Sequence, residues 1–181
     1  MASTKTDQEI LQAFGVHAQK HQAFEWLLAK YQQKTYWHIR RIVISHDDAD
    51  DVCQNTLIKI WENLTQFKGE AQLYTWIYRI ATNEALAFLN KKKQHLDIDA
   101  TSPELTQHLT ASHYFDGNAA ELKLQQAILT LPEKQRVVFN LKYFDQMKYE
   151  EMSEVLETSV GALKASYHHA VKKIEEFVTR T

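Results

Sequence analysis

Apolar residues three, four and seven positions apart recur along most of this chain, the spacing that puts side chains on one face of an α-helix. In "FEWLLAKY" Phe24, Leu27, Leu28 and Tyr31 make such a stripe, and Ile39, Ile42 and Val43 extend it. Neither glycine nor proline occurs between Gly15 and Gly69, so one long helix is predicted over 19–44. A second starts in "HDDADD", whose acidic first turn suits the positive end of the helix dipole. Its expected buried band is Val52, Cys53, Thr56, Leu57, Ile60, Trp61 and Leu64. A loop around 66–69 leads to a third helix over about 71–91. No strand pair and no internal repeat is evident.

The third helix has two unlike sides. At about 100° per residue, Leu73, Ile77, Ile80, Ala81, Ala87 and Phe88 share one of them and read as core. Thr75, Tyr78, Arg79, Thr82 and Asn83 fall on another, with Trp76 at the border and Glu84 interrupting the apolar arc. That second side gathers an aromatic ring, a guanidinium and an amide.

Periodicity then lapses. "KKKQHLDIDATSPELTQHLTASHYFDGNAA" opens on three lysines, turns mildly acidic and contains Pro103 and Gly117, which reads as a flexible linker over 94–119. Helical spacing resumes at 120–129. In "TLPE", Thr130 is expected to cap the next helix, with Pro132 in its first turn and Glu133 reaching back. Val137, Val138, Leu141 and Phe144 give that helix its apolar face. A short helix follows with Tyr149, Met152, Val155 and Leu156 inward, then a break at "ETS" and a last helix over 160–178.

These last two helices, joined by a turn of a few residues, suggest a helix-turn-helix. Val160, Leu163, Tyr167, Ala170, Val171 and Ile174 form the inner side of the final helix. Gly161, Ala162, Lys164, Ala165, His168, His169 and Lys172 form the outer one, and no acidic residue occurs from Val160 to Ile174. Small residues near a helix start let its backbone approach a DNA groove, and its free N–H groups suit phosphates. The plainer alternative is the outer face of a small helical unit. The neighbouring histidines point about 100° apart, so a metal shared between them is not expected.

The fold class is therefore all-α, with two small helical domains at 1–93 and 120–181. A hydrophobic fraction of 44% and a charged fraction of 24% fit a folded globular chain. Cys53 is the only cysteine, which excludes an internal disulfide and a cysteine-based zinc cluster. No apolar run approaches the roughly 20 residues that cross a bilayer, and no signal peptide opens the chain. A cytoplasmic protein without membrane insertion is expected. A net charge of −2 argues against autonomous, non-specific DNA binding; any nucleic-acid contact must be local or assisted.

Taken together, "DDADDVCQNTLIKIW", "FKGEAQLYTWIYRIATNEAL" and "LPEKQRVVFNLKYFDQMKYEEMSEVLETSVGALKASYHHAVKKI" resemble the extracytoplasmic-function group of bacterial sigma-70 factors. The resemblance covers most of 20–91 and 120–176. It implies a non-enzymatic protein without cofactor that binds RNA polymerase core enzyme, directs it to promoter DNA and promotes transcription initiation. The first domain would be region 2-like and the second region 4-like. Asp48, Asp51, Gln54, Asn55 and Ile58 would face the polymerase. Ile58 inside a polar rim is also what an interface anchor looks like.

By the same resemblance, the loop over 63–72, including Lys68, and the third helix would hold the −10 element as it opens. Tyr78, Arg79 and Asn83 would flank the single strand, where stacking on an aromatic ring is worth about 1–3 kcal/mol per base. Lys91 to Lys93 would lie near phosphates, and Trp76 is assigned to packing. The final helix would read the −35 element through Lys164, Ala165, His168, His169 and Lys172. Here the chain departs from the family, which carries more arginine at these positions. Arginine makes the commonest bidentate guanine contact, so weaker or different reading is implied. The acidic linker, with Asp97, Asp99, Glu104 and Asp116, would thread channels that otherwise hold nucleic acid. Family members often pair with an anti-sigma factor, although no residue identifies one here.

Two rivals remain at this level. Asp47, Asp48 and Asp51 satisfy an Asp-Asp-x-x-Asp pattern, which binds magnesium in all-helical isoprenoid synthases. No second aspartate-rich motif completes such a site. A stand-alone helix-turn-helix regulator would use the second domain equally well but leaves "FKGEAQLYTWIYRIATNEAL" unexplained.

Overall fold

The computed structural model describes residues 5–96 and 119–180. Within them the chain forms eight α-helices, two short 3-10 turns and no strand. The expected linker falls largely on 97–118, outside the described residues.

Helix α1 (Asp7–Phe14) has no counterpart in the predictions. It is set by a capping box: the Thr6 hydroxyl accepts from the Glu9 N–H at 3.2 Å, and the Thr6 N–H donates to Glu9 Oε2 at 2.9 Å. Its apolar side, Ile10, Ala13 and Phe14, is buried. Helix α2 (Lys20–Val43) is the predicted long helix within a residue at each end. It reverses through Ile44, which lies at φ 72°, an uncommon conformation for a β-branched residue. Burial of the Ile44 side chain in the core offsets the strain. Ser45 then caps α3 (His46–Asn63), accepting from the Asp48 N–H at 3.4 Å.

A 3-10 turn (Leu64–Gln66) and an extended loop lead to α4 (Leu73–Leu96). Gly69 lies in this loop at φ 74°, where a side chain would be strained. Helices α1 to α4 enclose one core of Ile10, Phe14, Leu27, Ile60, Leu73 and Ile77, among others.

The second unit contains α5 (Ala119–Leu129), α6 (Glu133–Tyr143), α7 (Tyr149–Leu156) and α8 (Val160–Thr179). The expected cap at Thr130 is not formed. Thr130 instead donates its hydroxyl to the Ala127 carbonyl at 2.7 Å and closes α5, while Pro132 is the N-cap of α6 without a side-chain bond. Between α7 and α8, Glu157 takes a left-handed conformation and Ser159 accepts from the Ala162 N–H at 3.3 Å. This is the tight reversal of a helix-turn-helix.

The units are not separate bodies. A single apolar cluster joins Ile39, Ile42, Val52, Tyr78, Ala81 and Ala85 of the first to Val137, Val138, Leu141, Met152, Val155 and Leu163 of the second. Helix α7 lies on α4, and α6 touches α2. Only a smaller core, including Ile128, Leu131, Phe139, Ala170 and Ile174, belongs to the second unit alone.

Candidate nucleic-acid interface

Helix α8 keeps its two sides distinct. Leu163, Ala170 and Ile174 are buried, whereas Lys164, Ala165, His168, His169 and Lys172 all stand in solvent, as do Gly161 and Ala162. These exposed residues share one helical face by their spacing. Lys164 holds its ammonium 5.6 Å from the centre of the Tyr149 ring, which anchors the cation at the edge of that face. The face is small, cationic and unobstructed, a surface that can approach a polyanion closely.

On α3 the polar first turn continues into a second exposed surface. Asp51, Gln54, Asn55 and Ile58 are exposed on one side, opposite buried Val52, Cys53, Thr56 and Ile60. Ile58 is 49% exposed, a large apolar side chain with water around it and polar neighbours one turn away. Asp48 differs from the others: it is partly buried and accepts from Lys92 of α4 at 2.6 Å. Asp47, Asp48 and Asp51 do not form a metal-ligand group, and no group of three or more such side chains is found among the described residues.

The third predicted patch, on α4, departs from expectation. Lys68 and Asn83 are exposed and Arg79 is partly buried, but Tyr78 is only 2% exposed. Thr75 and Thr82, on the supposedly outward side, are also buried, whereas Ala87, expected in the core, is exposed. Helix α2 meets this side through His38, which lies against Tyr78 and Thr82, and the second unit adds Asp145 at Tyr78. A lone helical period could not show it, because both faces of α4 find partners. Trp76, partly buried, lies 5.5 Å from Phe67, ring centre to ring centre, in a packing role.

Asp145, in the loop between α6 and α7, is the polar centre of this contact. Its carboxylate accepts from Arg41 Nη1 at 3.2 Å and from the Tyr78 hydroxyl at 3.3 Å, and it faces His38 Nδ1 at 3.1 Å. The other His38 nitrogen meets the Thr82 hydroxyl at 2.8 Å, and that hydroxyl donates to the Tyr78 carbonyl at 2.7 Å. Both ring nitrogens therefore face acceptors. Burial, with the Asp145 charge beside it, pushes the Tyr78 hydroxyl above the ordinary tyrosine range, so it stays a donor. Arg41 also lies 4.5 Å from the centre of the Phe144 ring, and Asn140 donates to the Arg41 carbonyl at 3.3 Å.

At the far end of α4, Lys93 binds Glu133 of α6. An open cleft of about 560 Å³ runs beside Asp145, with Lys34, Trp37 and Tyr74 on its walls. Neither Asp145 nor His38 stood out in the sequence. The only signal was a histidine, His38, inside an apolar stripe, where a buried partner is required.

Comparison with known proteins places these faces in context. The family model described as Sigma-70 region 2 matches residues 27–95, and that described as Sigma-70, region 4 matches 121–174. The ECF RNA polymerase sigma-E factor of Haemophilus influenzae is 30% identical over 185 residues, covering 97% of this chain and 96% of the relative. The ECF RNA polymerase sigma factor SigW of Bacillus subtilis is 33% identical over 156 residues, covering 81% and 83%. Among solved structures, the sigma factor RpoE of Bartonella quintana, in complex with the anti-sigma factor NepR, aligns with a TM-score of 0.70 at 22% identity. That alignment covers 87% of this chain and 97% of RpoE. CnrH, in complex with the cytosolic domain of CnrY, aligns at 0.69 and 22%, covering 95% and 96%. At that identity the two structures bear on the fold.

Proposed function

The chain belongs to the extracytoplasmic-function group of sigma-70 RNA polymerase sigma factors, and from that membership we propose how its surfaces divide the work. A sigma factor binds core polymerase, directs it to promoters and promotes initiation. The face of α3 with exposed Asp51, Gln54, Asn55 and Ile58, and with the partly buried Asp48 at its start, docks on the core enzyme. The first unit, 1–93, then holds the −10 element through Lys68, Tyr78, Arg79 and Asn83. The second, 120–181, reads the −35 element through Lys164, Ala165, His168, His169 and Lys172. The protein performs no chemistry of its own and works in the bacterial cytoplasm beside the polymerase. An anti-sigma protein is a further partner, as RpoE has in its solved complex.

The observation that carries this reading is the unobstructed α8 face, with Lys164 and Lys172 in solvent above a buried Leu163, Ala170 and Ile174. A net charge of −2 gives such a face little affinity for duplex on its own, so the polymerase must supply the remainder. In vitro transcription from fragmented host DNA, with and without purified core, tests this. Discrete transcripts are expected only when both proteins are present. A protein that shifts promoter DNA alone and never stimulates core would instead be a stand-alone helix-turn-helix regulator.

A further inference from the structure

We propose that His168 and His169 hold the −35 element in their protonated form, so that this protein grips that element more tightly as the pH falls. The inference rests on the assignment of α8 to the −35 element. It goes further by naming the residues that set the strength of the contact and the condition that changes it.

Both histidines are exposed on the face that carries Lys164 and Lys172, and their ring centres lie 6.0 Å apart. Among the described residues neither ring has a hydrogen bond or an ion pair. Histidine is the side chain whose ordinary charge change falls between about pH 5 and 8. A ring with no partner inside the protein is left to answer to an anion that arrives from outside.

The charged groups beside the pair on α8 are cations. Lys164 and Lys172 stand one turn before and one turn after His168, and Lys173 one turn after His169. The other helices packed on α8 bring no carboxylate into an ion pair with either ring. From α6, Gln135 accepts from Lys173 at 3.1 Å and Glu133 binds Lys93 of α4. From α7, Tyr149 lies beside Lys164, and Glu151 accepts from the Lys148 N–H at 2.8 Å. Helix α5 meets α8 through apolar Leu124, Ala127 and Ile128. Glu175 and Glu176 follow the two histidines by seven residues, about 10 Å along the axis, beyond a Debye length of about 8 Å in physiological salt.

Protonation changes what such a face offers. A neutral imidazole has one donor and one acceptor, whereas the protonated ring has two donors and a charge. Guanine presents N7 and O6 acceptors in the major groove, and phosphates present only acceptors, so the protonated ring suits both. A nearby anion favours the charged form in turn, and DNA binding and proton uptake therefore support one another. With a net charge of −2 on the whole chain, charges added to Lys164 and Lys172 count. Two more neutralised phosphates would steepen the salt dependence of binding by a slope of about 1.8.

The test uses full-length protein with purified core polymerase. Transcription from a promoter that carries a −35 element is divided by that from one that lacks it, across about pH 8 to about pH 6. The same enzyme serves both promoters, so effects of pH on RNA synthesis itself cancel. The wild-type ratio should rise about tenfold as pH falls across that window, with a steeper loss to added salt at the acid end. The double variant His168→Gln, His169→Gln should keep the low ratio throughout. The double variant His168→Arg, His169→Arg, which cannot lose its charge, should keep a high one.

Activity on the promoter that lacks a −35 element shows that each variant is folded and bound to core. Should the glutamine pair fail there, the arginine pair decides, and a ratio that still follows pH in it overturns the proposal. A wild-type ratio indifferent to pH, or a rise that persists in the glutamine pair, overturns it too. Lys164→Glu in the same assay separates the two levels. If it lowers the ratio while pH does not move the wild type, only the proton linkage fails. If it leaves the ratio intact, α8 does not read the −35 element and the functional assignment falls with it.

Discussion

Helices α4 and α8 carry outward sides of similar make-up, each mixing small or hydroxyl residues with cations and rings, yet one is covered and the other bare. On α8 the residues Lys164, Ala165, His168, His169 and Lys172 are all exposed. On α4 Thr75, Tyr78 and Thr82 are buried, Tyr78 and Thr82 against His38 of α2 and Tyr78 also against Asp145 of the second unit. The difference lies in what each helix completes. Helix α8 buries Leu163, Ala170 and Ile174 and has satisfied its apolar side. Helix α4 sits between two layers and gives one side to each. A face that is bare is available at once, whereas a covered one can act only after a rearrangement. Binding at the −35 and −10 elements should therefore respond differently to anything that parts the units.

The comparison is sharpened most strongly on a third surface, that of α3, which is bare like α8 but apolar at its centre. Ile58→Glu places a charge where an anchor would be buried on docking. Loss of such an anchor costs at least about 2 kcal/mol, roughly thirtyfold in affinity for core polymerase. Pull-down with purified core measures it, and the melting temperature should hold because Ile58 supports nothing inside. Unchanged core affinity would remove α3 from the docking assignment.

On α8, Lys164→Glu should weaken −35-dependent transcription by about 1–3 kcal/mol, with core binding intact. Equal loss of both would mean the second unit had unfolded. A promoter that lacks a −35 element serves as the internal control: on it the variant should match wild type.

A milder change loosens the first unit without touching either face. Thr6→Ala removes the cap of α1 and should cost about 1 kcal/mol, a fall of a few degrees in Tm. The Thr6 backbone N–H, the Lys5 ammonium and the Thr6 hydroxyl together hold the Glu9 carboxyl down to about 2. Because its folded value lies below its unfolded one, its share of the cap is complete above about pH 4.5 and is lost as pH falls through about 2. Thermal melts across that window should show the wild type losing ground.

Much of this architecture was legible from spacing alone. The long helix α2, the acidic start of α3 and the bifacial α8 follow from local rules, and those rules decide such elements because each has one buried side. Helix α1 was missed although "TDQE" carries a capping box, since its three buried residues make too short a stripe to stand out. Thr130 misled in the opposite sense: a cap-like pattern closed the helix before it instead of opening the one after. Periodicity separated the two sides of α4 but assigned Tyr78 to the outside, because the residues that meet it, His38 and Asp145, are distant in sequence. The exposure of Lys164 and its neighbours was readable because nothing distant packs on them.

The smallest change bears on α4 most directly. Tyr78→Phe keeps the ring, which is the part that would stack on an unpaired base, and deletes the hydroxyl that donates to Asp145 at 3.3 Å. One hydrogen bond of this kind contributes about 1 kcal/mol, and the carboxylate keeps Arg41 and His38 as partners, so it is not stranded. Thermal melts should show the loss as a fall of a few degrees in Tm. Promoter opening by the assembled polymerase should stay near wild type, since a stacking ring needs no hydroxyl. Were promoter opening to fall instead, the hydroxyl would itself be reading the strand, and its bond to Asp145 would occupy a DNA contact.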